Sequence, residues 1–170
     1  MIGIGRHTDY AARIVLHLSA LPRGTRVTAE AIAKKRLLPR AFMRRIVVRL
    51  AAANVLRTVR GAGGGIALAR PASEISLLDV VQAMEGDLML NACVGRPMAC
   101  PLSAACPVQR AWTGVTKQLE TALFGIRFSQ LANAMEQEIG RTGYPRKSGP
   151  KARVARRQKK LDKGGKRGRA

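Results

Sequence analysis

The hydrophobic pattern of this chain changes period near residue 55, and that change constrains the fold more than any other feature. Upstream, apolar residues recur at helical spacing. Downstream, Leu56-Arg57-Thr58-Val59 and Ile66-Ala67-Leu68 read as two short strands. Between them lies Arg60-Gly61-Ala62-Gly63-Gly64-Gly65, a flexible glycine turn. The expected fold class is therefore mainly α with a small β-hairpin.

The upstream segments can be placed individually. Tyr10, Ile14, Leu18 and Leu21 are spaced 4, 4 and 3, one face of a helix over 8–21 that Pro22 and Gly24 end. Thr28 suits the N-cap of a second helix running from Ala29 to about Arg36. Pro39 suits the first turn of a third, which runs to about Ala53. Met43, Ile46, Val47 and Leu50 line one side of that helix, and Arg40, Arg44, Arg45 and Arg49 line the other. Helices, a short turn and a glycine hairpin in this order describe a winged helix-turn-helix, whose second helix enters the major groove. Arg40, Arg44 and Arg45 are then the candidate base contacts. Arg60 is the candidate phosphate contact, and Gly63 and Gly64 form the tip where the backbone approaches DNA. The loop is no Walker motif, because no Gly-Lys-Ser/Thr follows it.

Charge supports this reading. The formal net charge of the 170 residues is +21, distributed as +8 over 1–92, +1 over 93–140 and +12 over 141–170. Two basic blocks flanking a neutral segment attract a polyanion, and double-stranded DNA is the expected partner. Aromatic residues make up only 4%, too few for the stacking platforms of single-strand binders. The segment from Arg141 onward has Gly, Pro and like charges without apolar periodicity, so it is expected to be a disordered basic tail. No apolar run reaches 18 residues, and Arg13 and His17 interrupt the first apolar stretch, so neither a membrane span nor a signal peptide is expected and the location is cytoplasmic.

Past the hairpin, Ser76-Leu77-Leu78-Asp79 is a capping-box pattern opening a helix to about Glu85, with Gly86 as its stop. Val108, Trp112, Val115, Leu119, Ala122 and Ile126 then alternate spacings of 4 and 3, a heptad seam expected to meet a second copy in a homodimer. A last short helix is expected over 129–139. The organisation is a DNA-binding domain over 1–92, a cysteine loop over 93–106, a dimerisation helix and last helix over 107–140, and the tail over 141–170.

All three cysteines, Cys93, Cys100 and Cys106, fall in that loop as C-x6-C-x5-C among Gly, Pro and Arg. An odd number excludes a closed set of internal disulfides. Clustered thiolates suit zinc or an iron–sulfur cluster, and the absence of short Cys-x-x-Cys arms disfavours a structural zinc site. Three buried thiols, or a thiol-only redox regulator, are the other readings. No paired carboxylates, catalytic histidine or cofactor fingerprint points to an enzyme.

These pieces together resemble the winged-helix iron–sulfur regulators typified by NsrR and IscR. The resemblance rests on Thr8-Asp9-Tyr10-Ala11-Ala12-Arg13, on Ile32-Ala33, on the wing from Leu56 to Ala69, on Ile75 to Val81 with Glu85-Gly86, and on the three cysteines before a long helix. It covers about residues 1–139 and implies a dimeric transcription regulator with one cluster per subunit. It implies Cys93, Cys100 and Cys106 as cluster ligands and Asp9, given across to the other subunit, as the fourth. The cluster would be 4Fe–4S, with 2Fe–2S as the alternative. Pro107, Val108 and Gln109 stand where the IscR branch carries a histidine, which tilts the resemblance toward the nitric-oxide-sensing repressors of the NsrR branch. A regulator of iron–sulfur assembly genes is the alternative. The first cysteine interval is six residues here against five in close relatives, and the basic tail lies outside the family pattern.

Overall fold

The computed structural model describes residues 4–61 and 63–142, so the expected tail lies outside the described residues from 143 onward. Three helices come first: α1 (Arg6–Ser19), α2 (Ala29–Arg36) and α3 (Arg40–Ala52). An antiparallel hairpin of β1 (Leu56–Val59) and β2 (Gly65–Leu68) follows, with Leu56 opposite Leu68 and Val59 opposite Gly65. Then come α4 (Leu77–Glu85), the short α5 (Ala92–Gly95), a single 3₁₀ turn at Pro97–Ala99, α6 (Pro107–Gly125) and α7 (Phe128–Thr142).

Two of the expected start signals, Thr28 and Ser76, act as caps, whereas Pro39 stands at the N-cap of α3 and not inside its first turn. The Thr28 hydroxyl accepts the Ala31 N–H at 3.2 Å, closing the open end of α2. Ser76 and Asp79 form a full capping box on α4: Asp79 N donates to Ser76 Oγ at 3.1 Å, and Ser76 N donates to Asp79 Oδ2 at 2.6 Å. Burial works against the Asp79 charge, but the Ser76 hydrogen bonds and then Arg70, at 2.8 Å, outweigh it and hold the carboxyl below its ordinary range. α1 starts and stops two residues earlier than the spacing predicts. Its fully buried line is Ala11, Ile14, Val15 and Leu18, while Tyr10 and Leu21 are only partly covered.

One core joins these elements. Ile14, Ile32, Ile46, Leu50, Val55, Leu56, Ile75 and Val80 are almost fully buried, and Phe128 at the start of α7 completes the cluster. Two pairings hold the pieces that periodicity does not reveal. Val27 bridges Ile66 from the far side of β2, with N–O distances of 3.0 and 2.8 Å, so the hairpin gains a third partner. The chain between α6 and α7 returns to the start of α4, where Leu77 N donates to Ile126 O at 2.9 Å and Phe128 N to Ile75 O at 3.0 Å. Among the described residues no helix is long and apolar enough to cross a membrane.

Candidate nucleic-acid interface and cysteine segment

α3 buries Met43, Ile46, Val47 and Leu50, which turns its opposite side to solvent. The arginines of that helix look alike in sequence but the fold gives them different tasks. Arg40 is committed to an ion pair with Glu30 on α2. Arg49 donates to the Met84 carbonyl oxygen near the end of α4. Arg44 and Arg45 are exposed, and among the described residues no hydrogen bond or ion pair occupies them. They are the two cations of α3 that can meet an external anion or base edge without first breaking a bond.

The wing tip is built by backbone constraint. Gly63 has φ +74°, a conformation that L side chains rarely adopt. A Cβ on Gly64 would stand 2.4 Å from the Val59 carbonyl oxygen, so the tight turn closed by Gly64 N to Gly61 O at 2.9 Å excludes any side chain there. Arg60 is exposed at the end of β1 and leads into this turn.

Asp9 lies exposed in the first turn of α1 and pairs with Arg13, one turn on, at 2.9 Å. Its neighbour Thr8 is buried and donates its hydroxyl to Glu85 Oε1 at the end of α4, and the Gly5 N–H reaches the same oxygen at 3.3 Å. Sequence reasoning did not identify Thr8, Glu85 or Arg49 in these roles. Contacts between residues 77 apart leave no periodic signal. His17 was also missed: it is buried in α1, and burial first, then the charges of Arg36 and Lys35, lowers its pKa to about 4.

The three cysteines are free, and all are partly buried. Cys93 sits in α5, Cys100 follows the 3₁₀ turn, and Cys106 caps α6, its sulfur accepting the Gln109 N–H at 3.4 Å. The Gln109 side chain also donates to the Cys93 carbonyl at 3.4 Å, tying both ends of the segment together. Among the described residues no group of three or more His, Cys, Asp or Glu side chains stands close enough to hold a metal ion. Three free thiols on one segment are donors of the kind that suit zinc or an iron–sulfur cluster.

Known proteins share this architecture. The chain is similar to CymR (YrzC), the global cysteine regulator of B. subtilis, with a TM-score of 0.64 and 20% identity, covering 79% of this chain and 98% of that one. It is similar to T. potens IscR, with a TM-score of 0.62 and 21% identity over 86% of this chain and 94% of that one. Likeness at that identity establishes the fold. In sequence, it is 31% identical to Protein aau3 of Rhizobium meliloti (strain 1021) over 134 residues, 78% of this chain and 86% of the relative. Residues 4–134 match the Rrf2 family, described as iron-dependent transcriptional regulators, so the winged helix, Arg44, Arg45 and the cysteine segment all fall inside the matched stretch. The chain belongs to the Rrf2 family of transcriptional regulators.

Proposed function

We propose that the chain is a homodimeric DNA-binding repressor in which residues 1–92 read an operator and the 93–106 loop reports a chemical signal to them. The observation that carries the DNA reading is the exposed side of α3, where Arg44 and Arg45 stand unoccupied opposite a fully buried apolar face. An arginine donating two hydrogen bonds to guanine contributes about 1–3 kcal/mol of discrimination. Arg60 and the Gly63–Gly64 tip supply backbone contacts, which position the protein without reading sequence. Arg40 contributes less, because its guanidinium is already paired. In a comparison of an operator duplex with a random one, Arg44→Ala or Arg45→Ala is expected to lose about 10- to 100-fold of specific affinity. Arg40→Ala is expected to lose only a small, sequence-independent part. Unchanged specific binding in both Arg44→Ala and Arg45→Ala would overturn the assignment of α3.

For the signal, the resemblance favours Cys93, Cys100 and Cys106 as ligands of an iron–sulfur cluster, 4Fe–4S or 2Fe–2S, with the partner subunit's Asp9 as the fourth ligand. Such a cluster would supply reactivity toward nitric oxide. The chain's own part is to present three thiols on one segment joined to the end of α4, which holds both α1 and α3. One observation favours a second reading. The three thiols are free and only partly buried, which suits a regulator that works by thiol oxidation alone. A solved structure similar to this one, with a TM-score of 0.58 and 24% identity, is the oxidized form of Staphylococcus aureus CymR. Protein purified without oxygen separates the two. Visible thiolate-to-iron absorption that disappears in Cys93→Ala, Cys100→Ala and Cys106→Ala supports the cluster, and colourless, iron-free protein whose operator binding responds to a thiol oxidant supports the second reading.

A further inference from the structure

An exposed valine stands in the middle of α3. Val48 keeps 60% of its surface open to solvent, between the arginine-bearing turn before it and Ala52 after it. At 100° per residue, the buried set Met43, Ile46, Val47 and Leu50 leaves Ala41, Arg45, Val48 and Ala52 along the centre of the opposite side, with Arg44 beside them. Ala41 and Val48 are seven residues apart, two turns or about 10 Å along the axis, and the two unoccupied arginines lie between them. A β-branched residue at an open helical position gains nothing from helix propensity, and among the described residues none covers most of its surface.

We propose that Val48, with Ala41, is the apolar half of the base-reading surface and packs against thymine 5-methyl groups in the major groove. This rests on the DNA-binding reading above and extends it to the bases read. The major groove presents each base pair with a distinct pattern, and thymine alone offers an exposed methyl beside a carbonyl acceptor. The flanking charge decides the occupant. Arg44 and Arg45 border the apolar strip, so whatever covers it must bring negative charge or carbonyl acceptors to both sides, as a DNA groove does and an apolar protein face does not. Operator half-sites should therefore place thymine within a few base pairs of the guanine read by Arg44 or Arg45.

The test uses the full chain and a duplex enriched by it from a random pool. Each thymine is replaced singly by deoxyuridine, which removes the methyl group and leaves base pairing intact. At one or two thymines per half-site the unmodified protein should lose about fourfold in affinity, the change expected from uncovering one methyl-sized group. In Val48→Ala the same replacement should cost nothing further, whereas Arg45→Ala should keep the full penalty. No thymine showing a penalty, or penalties that combine independently with Val48→Ala, would overturn the proposal while leaving DNA binding standing. Failure to enrich any duplex would instead remove the DNA-binding reading beneath it. A shift in sedimentation of DNA-free Val48→Ala would assign the strip to a second copy of the chain and overturn the thymine contact.

Discussion

At the residue scale, a side chain's role follows from what surrounds it, and two residues that follow α2 and α3 illustrate opposite cases. Leu37 ends α2 in the left-handed region, with φ +56° and ψ +41°, and 71% of it faces solvent. Asn54, just past α3, has nearly the same φ of +53°. Asparagine tolerates that conformation and leucine does not, because a leucine Cβ crowds the following carbonyl. Leu37 therefore carries strain that no burial offsets. Leu37→Asn is expected to raise unfolding stability by about 0.5–1 kcal/mol, and Leu37→Gly by somewhat less because glycine loses more backbone freedom on folding. Urea midpoints at unchanged slope would show it, and an unchanged or lower midpoint for both would contradict the strain. Nothing in the pattern Lys34-Lys35-Arg36-Leu37-Leu38-Pro39 distinguishes Leu37 from the buried Leu38, because a turn interrupts periodicity where it would be needed. The same limit applies to the arginines. Their shared side of α3 was legible from spacing, but the diversion of Arg40 to Glu30 and of Arg49 to Met84 depends on neighbours far along the chain.

At the scale of elements, the end of α4 is the junction of the DNA-binding body. Arg49 of α3 donates to Met84 O, and Thr8 and Gly5 at the start of α1 donate to the Glu85 side chain. Immediately after these two residues the chain turns at Gly86 and runs to Cys93. The Thr8 hydroxyl is buried, so removing its acceptor costs more than removing the hydroxyl itself. Glu85→Ala is expected to destabilise by about 1–3 kcal/mol, Thr8→Val by less, and the double variant to recover part of the Glu85→Ala loss. Strict additivity of the two would show that the contact does not hold α1. The beginning of α4 was readable from Ser76-x-x-Asp79, since a capping box is a local code. Its end was readable only as a stop at Gly86, since the contacts made there are not local. The hairpin was likewise legible in strands and turn but not in its third partner, Val27, which lies outside any alternating run.

At the scale of the whole molecule, two properties should respond to conditions rather than to single contacts. His17 titrates near 6.5 when unfolded and near 4 when folded, because burial and then Arg36 and Lys35 oppose its charge. The unfolded chain therefore takes up a proton that the folded chain refuses. Stability from this group is fully present above pH 6.5 and is lost as pH falls toward 4, by as much as about 3 kcal/mol. His17→Leu should flatten that slope between pH 7.5 and 4.5 in urea unfolding, and an unaltered slope would place the acid sensitivity elsewhere. The second property is association. In α6 only Thr116 is buried, and Val108, Val115 and Ile126 of the heptad seam are exposed along with Ala122. In the proposed homodimer a second α6 would cover this apolar row, whose alternating spacing suits such a pairing. Two-fold pairing through this row would present two α3 helices to two half-sites, and each half-site then adds its free energy to the same complex. Val115 is 47% exposed, so Val115→Glu leaves the core of its own chain untouched and places a carboxylate within the apolar row. The expected result is a shift to monomer in sedimentation, unchanged helical content, and operator affinity reduced toward that of a single half-site. A Val115→Glu protein that stays dimeric, or a monomer that holds the full operator as tightly as before, would remove the seam from the reading of how this regulator grips DNA.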